Sequence, residues 1–162
     1  MDVKLIEQAI KGNQDACVLL LQHHQDVLYR IAYSYLRNEP DTLDAIQEVT
    51  IRCLTRIHTL KEPTYFKTWL IRILLNVCAD LNRKKQRTLP VLQEKGYEEE
   101  VHIDLYRALD ELEVEQRELI YLKYFEDYQN KQIAEQLQLP EGTVKSRLHT
   151  ILKKMRKRLG GV

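Results

Sequence analysis

Residues Asn130 to Met155 read NKQIAEQLQLPEGTVKSRLHTILKKM, and the spacing of their apolar side chains decides the architecture of this end of the chain. Ile133 and Leu137 lie one helical turn apart and mark the buried face of a short helix. The triplet QLP then breaks the helix, and Val144, Leu148, Ile151, Leu152 and Met155 resume at helical spacing. The pattern is a helix-turn-helix. The face left over on the second helix carries Lys145, Ser146, Arg147, His149, Thr150 and Lys153, a set of cations and hydrogen-bonding groups. Arginine and lysine read guanine edges in a DNA major groove, and the free backbone N–H groups of a helix's first turn donate to phosphate oxygens, so this face suits duplex DNA.

Charge supports that reading by its position rather than its total. The 162 residues have a net charge of only +1, yet after Glu141 there are seven basic residues and no acidic one. A basic helix end can also be merely solvated, since cations favour the C-terminal dipole, and Lys153 to Arg158 alone fit that explanation equally well. Joined to the turn motif, they read as a concentrated surface for neutralising phosphates.

Elsewhere, 44% hydrophobic and 30% charged residues describe a folded, soluble chain. No apolar run is long enough for a membrane span, and the first residues lack the basic-then-apolar order of a signal peptide, so a cytoplasmic location is expected. Cys17, Cys53 and Cys78 are odd in number and widely spaced, which favours reduced core residues over metal or disulfide chemistry. His23 and His24 point about 100° apart on a helix and are expected at the surface. No metal or cofactor is expected.

Glycine is scarce and no segment alternates as a strand would, so the fold class is all-α. Helices are predicted over Val3–Lys11, Gln14–Arg37, Thr42–His58, Tyr65–Lys85, Asp104–Leu112, Val114–Phe125, Asn130–Leu137 and Glu141–Arg158. Asp41 and Thr64, each after a proline, are the expected N-caps of the third and fourth. Between the halves, TLPVLQEKGYEEEVHI contains Pro90, Gly96 and the acidic run Glu98, Glu99 and Glu100, the signature of a flexible acidic linker. The expected organisation is two small helical domains, 1–87 and 104–162, joined by a linker over 88–103.

Three ordered blocks carry a resemblance. DTLDAIQEVTIRCL (Asp41 to Leu54), FKTWLIRILLNVCADLNRKKQR (Phe66 to Arg87) and LDELEVEQRELIYLKYFEDYQNKQIAEQLQLPEGTVKSRLH (Leu109 to His149) together resemble the bacterial sigma-70 family of RNA polymerase initiation factors, in its extracytoplasmic-function (ECF) group. The resemblance runs over nearly the whole chain. It implies a region 2-like domain, in which Asp44, Gln47 and Glu48 meet the clamp helices of the polymerase β′ subunit, with Ile46, Val49 and Leu54 facing either core or partner. It implies further that Leu60, Lys61, Tyr65 and Lys67 around a loop, with Arg72, Asn76, Arg83 and Lys84 on the following helix, handle melted −10 DNA. In a region 4-like domain, Thr143, Lys145, Ser146, Arg147, His149, Thr150 and Lys153 would read the −35 duplex. Single-stranded bases need an apolar wall for stacking, amides for their edges and cations for phosphate, which this mixture offers. Asn76 is the preferred base contact. Trp69 is assigned to the core instead, with Ile73 and Val77.

The resemblance also implies partners: core RNA polymerase through its β′ clamp helices and β flap, promoter DNA, and an anti-sigma factor, often membrane-tethered. The free protein would be a monomer without a small-molecule substrate. The acidic linker is expected to imitate nucleic acid in the polymerase channel, or else to act as a solubilising tether. Two rivals remain. A conventional helix-turn-helix regulator, such as a response regulator, would need a receiver of alternating strands and helices, which the first half lacks. An enzyme would need a phosphate loop, an HExxH or a placed nucleophile, and none is legible.

Overall fold

The computed structural model describes residues 2–88 and 100–160, and among them no strand occurs. The chain falls into two compact units, Met1–Arg83 and Lys84–Val162. The linker residues 89–99, with Pro90, Gly96, Glu98 and Glu99, lie outside the described residues, as does the side chain of Glu100.

The first unit contains α1 (Val3–Ile10), α2 (Gln14–Leu36), α3 (Glu39–Arg56), two short 3-10 turns (Ile57–Thr59 and Pro63–Tyr65) and α4 (Phe66–Thr88) as far as Arg83, the last turn of α4 falling in the second unit. Each junction has a local cause. Asn13 accepts a hydrogen bond from the Ala16 amide at 3.0 Å and starts α2. Arg37 adopts the left-handed conformation (φ 57°) and ends it. Asn38 then caps α3, its side-chain oxygen accepting from the Asp41 amide at 2.9 Å. The expected cap, Asp41, is therefore inside the first turn, because Pro40 sits within the helix start, where a missing amide costs nothing. Thr64 does not cap α4 either. It belongs to the 3-10 turn, where Glu62 accepts from its amide and its hydroxyl.

The core of this unit comes from one stripe of each long helix: Leu20, Leu28 and Ile31 of α2, Ala45, Val49 and Cys53 of α3, and Phe66, Leu70, Ile71 and Leu74 of α4. His24, expected at the surface, is buried instead. Its Nδ1 lies 2.7 Å from the Leu20 carbonyl and its ring meets Phe66 edge-on, so the helix itself satisfies the polar atom while the ring packs.

The second unit contains α5 (Glu100–Asp110), α6 (Val114–Ile120), a π-helical turn (Tyr121–Phe125), α7 (Asn130–Leu137) and α8 (Glu141–Arg158). The α5 helix begins four residues before its expected start, and the single helix expected over Val114–Phe125 changes to π geometry at Tyr121. The wider turn leaves Tyr121 fully buried with Phe125 against it, ring centroids 4.6 Å apart. Arg117 is buried with only 1% of its side chain exposed, and its guanidinium donates to Asp110 at 2.9 Å, tying α6 to the end of α5.

Candidate nucleic-acid interface

The turn between α7 and α8 is built by Gln138, held left-handed at φ 55°, and by the Leu139 amide, which donates to the Ala134 carbonyl at 2.9 Å. Ile133 and Val144 are fully enclosed and lock the two helices together, with Leu148, Ile151 and Met155 continuing the buried stripe. Leu152, grouped with them by spacing, is only half-buried. That packing fixes which face of α8 is left outside. Lys145, Ser146, Arg147, His149, Thr150 and Lys153 are all exposed, and Thr143 is half-exposed in the first turn. Pro140 precedes the helix without a side-chain cap; its carbonyl accepts from the Thr143 amide at 2.9 Å and the Val144 amide at 3.2 Å, which leaves the Glu141 and Gly142 amides without a side-chain cap. Lys145 is steadied by Glu141 at 3.0 Å, and the Thr150 hydroxyl donates back to the Ser146 carbonyl.

The basic tail of α8 divides by role. Lys154 donates to the Glu111 carbonyl at 3.0 Å and Arg158 pairs with the Glu111 carboxylate, so two of its cations fasten α8 to the end of α5. Lys153, Arg156 and Lys157 stay exposed.

A second polar surface lies on α3 and α4. Asp44 and Gln47 are exposed, and Glu48 accepts from Arg52 at 2.7 Å. Arg52 also approaches Asp80 of α4 at 3.7 Å, and Asp80 pairs in turn with Arg83. Alternating charges thus run from α3 across to α4. Arg72, Asn76, Asp80 and Arg83 follow one another at helical spacing and are exposed, and the Asn76 amide donates to the Arg72 carbonyl at 2.9 Å. Lys61 and Lys84 are exposed, and Tyr65 and Lys67 half-exposed.

Sequence descriptions agree with this arrangement. The sigma-70 region 2 family matches residues 20–88, and the family described as sigma-70, region 4 matches residues 102–155. The RNA polymerase sigma factor SigV of Bacillus subtilis (strain 168) is 34% identical over 146 residues, covering 86% of this chain and 88% of that protein. The ECF RNA polymerase sigma factor SigX of the same organism is 30% identical over 155 residues, covering 85% and 79%. The chain belongs to the sigma-70 family, in its ECF group. Among solved structures, CnrH in complex with the cytosolic domain of CnrY is similar over 98% of this chain and 97% of that one, with 25% identity and a TM-score of 0.68. This chain is a sigma factor, a transcription initiation protein, and the conventional-regulator alternative is not favoured.

Two residues of this sigma factor stand apart from their sequence expectations. Leu60, placed among the −10 residues, is buried, with 8% of its surface exposed, because the two 3-10 turns fold its side chain inward. Trp69, placed in the core, is only partly covered, 6.0 Å from the Phe66 ring. Val77, grouped with it, is core and Ile73 half-buried, but the place expected for Trp69 is taken by Phe66, Leu70, Ile71 and Leu74. Trp69 therefore lies at helical spacing with Arg72 and Asn76 on the outer side of α4.

The α3 face also holds more than the polar residues singled out by sequence. Val49 is core and Ile46 half-buried, whereas Leu43 (47% exposed), Ile51 (56%) and Leu54 are open to solvent. With Gln47 they form one line at positions i, i+4, i+8 and i+11. That spacing is legible in LDAIQEVTIRCL, but so is the inner stripe of Ala45, Val49 and Cys53, and both are apolar.

Proposed function

We propose that this sigma factor docks on core RNA polymerase through the outer face of α3, takes melted −10 DNA on the outer face of α4, and reads the −35 duplex with α8. The observation carrying the reading is the exposed polar face of α8, Lys145 to Lys153, held outward by the burial of Val144, Leu148 and Ile151 on the opposite face. Its N-terminal half has the shape and donors for a major groove, and its uncapped first amides suit a phosphate.

In the first unit, Asp44, Gln47 and Glu48 supply polar partners for polymerase, and Leu43, Ile51 and Leu54 add apolar area beside them. An exposed line of this kind on a helix is the usual mark of a protein contact. On α4, Arg72 and Asn76 offer a cation and an amide, Trp69 and Tyr65 offer stacking surface, and Lys61, Lys67, Arg83 and Lys84 offer phosphate contacts. Leu60, being buried, supports the loop from within. Promoter opening would draw its energy from binding: unstacking costs a few kcal/mol per flipped base, offset by stacking and backbone contacts. No bond is made or broken by this chain.

We also infer a restraining anti-sigma protein that covers the polymerase-facing and DNA-facing surfaces, in keeping with the capture of the similar CnrH with the cytosolic domain of CnrY. No helix among the described residues is long and apolar enough to cross a membrane.

The test is transcription in vitro by purified bacterial core RNA polymerase, with and without this protein, on a pool of bacterial promoter fragments. Discrete transcripts that require the protein are expected, and their start sites would reveal both promoter elements. Duplex binding without transcripts, and without comigration with core polymerase, would refute the assignment of α3 and α4.

A further inference from the structure

The first unit encloses two thiols in contact, and nothing in the promoter-reading role uses them. Cys17 of α2 and Cys53 of α3 are 36 residues apart in sequence, yet their sulfurs lie 3.5 Å from each other, with 1% and 0% of the residues exposed. Both are free thiols. Among the described residues no group of three or more histidines, cysteines or carboxylates gathers to hold a metal, so the pair is not part of a cation site of that kind.

We propose that Cys17 and Cys53 are a reversible oxidation site, closing to a disulfide under peroxide and stapling α2 to α3. A disulfide needs an S–S length of about 2.05 Å, so the sulfurs must close by roughly 1.5 Å, within the reach of side-chain rotation and a small helix shift. The contact lowers the pKa of Cys17 and, with burial, raises that of Cys53. Either sulfur can be its donor, so either thiol can lead the attack on peroxide, and the balance is the same whichever does.

The chemistry balances with hydrogen peroxide as oxidant. With Cys17 leading, its thiolate attacks one peroxide oxygen, an S–O bond forms as the O–O bond breaks, and the departing hydroxide takes up the proton released by Cys17 to become water. The Cys53 sulfur then attacks the sulfenic sulfur. An S–S bond forms, the S–O bond breaks, and the second hydroxide leaves as water with the Cys53 proton. Two thiols and one peroxide become one disulfide and two waters. Because both sulfurs are enclosed, peroxide reaches them during local openings of the unit, and the product then restricts further opening by closing a long loop.

The experiment uses the full folded chain, treated with hydrogen peroxide, then denatured, alkylated and weighed intact, with non-reduced peptide mapping. The expected result is a fall in alkylatable thiols from three to one, an intact mass lower by two alkyl adducts and about 2 Da, a cross-linked peptide joining Cys17 to Cys53, and full reversal by dithiothreitol. Cys78→Ser should keep the bond, and Cys17→Ser and Cys53→Ser should abolish it. The oxidised chain should melt several degrees higher than the reduced one. Three intact thiols in the folded wild type, or a cross-link through Cys78, would overturn the proposal. A bond that formed without raising the melting temperature would overturn the stapling role. Mapping the wild-type peptide keeps the test valid even if a cysteine variant fails to fold.

Discussion

Among the described residues Arg117 is the largest fully buried side chain, and the Asp110 carboxylate pairs with it. A buried guanidinium is tolerated only when its charge is met, so the pair is more costly to break than to have built apolar. Asp110→Ala is expected to destabilise the second unit by about 1–3 kcal/mol, the lower part of the range for charged pairs because Asp110 keeps some exposure to water. Urea unfolding followed by circular dichroism would measure it, and an unchanged midpoint would contradict the role given to Asp110. Arg147 is the opposite case, exposed and poised for a ligand. Arg147→Ala should leave stability alone while weakening binding to the correct −35 duplex by about 1–3 kcal/mol, with relaxed specificity at one base pair. An equal loss on every duplex in a fluorescence-anisotropy titration would make Arg147 a phosphate contact instead. At this scale the candidate site was largely legible: the outward residues of α8 follow from subtracting the apolar stripe. Leu60 and Trp69 were not: Leu60 sits between the polar Thr59 and Lys61, Trp69 lies one turn from both Phe66 and Arg72, and only the position of the packed helices decides which turns inward.

For the elements, the lengths of helices came through well where breakers are strong, as in the QLP turn between α7 and α8, and less well where a proline misdirected the start of α3. The π turn at Tyr121–Phe125 has no sequence signature, because an α-helix and a π turn share the same apolar spacing over so few residues. Two helix-scale consequences can be measured. Gln138 holds the left-handed conformation that ends α7, where a residue with a side chain is strained and glycine is not. Gln138→Gly is therefore expected to stabilise the second unit by about 0.5–1 kcal/mol, seen as a higher denaturation midpoint. A lower midpoint would show that the glutamine side chain contributes more than its backbone strain costs. On α3, Ile51 is exposed on the face proposed for polymerase. Ile51→Asp should change stability by less than about 0.5 kcal/mol. It should weaken association with core polymerase by at least about tenfold. Normal association by native gel or biolayer interferometry would move the docking face off α3.

Across the whole molecule, a net charge of +1 conceals a segregated distribution, with the basic residues after Glu141 unopposed in sequence. Duplex binding should therefore be strongly salt-dependent despite near-neutrality, and Lys153→Ala should reduce the log–log salt slope by about one if Lys153 meets a phosphate. An unchanged slope would place Lys153 off the DNA. What the sequence by itself determined was the all-α class, the helix-turn-helix, the outward basic face of α8 and, through three ordered blocks, the sigma-70 family. These are legible because helical periodicity is local: residues three and four apart share a face whatever the rest of the chain does. The tertiary structure alone decided which of two apolar stripes on α3 and α4 is core, that His24 and Leu60 are enclosed, that Lys154 and Arg158 serve α5, and that Cys17 meets Cys53. Each of those outcomes depends on a neighbour distant in sequence, and burial is a property of the packed pair rather than of either helix.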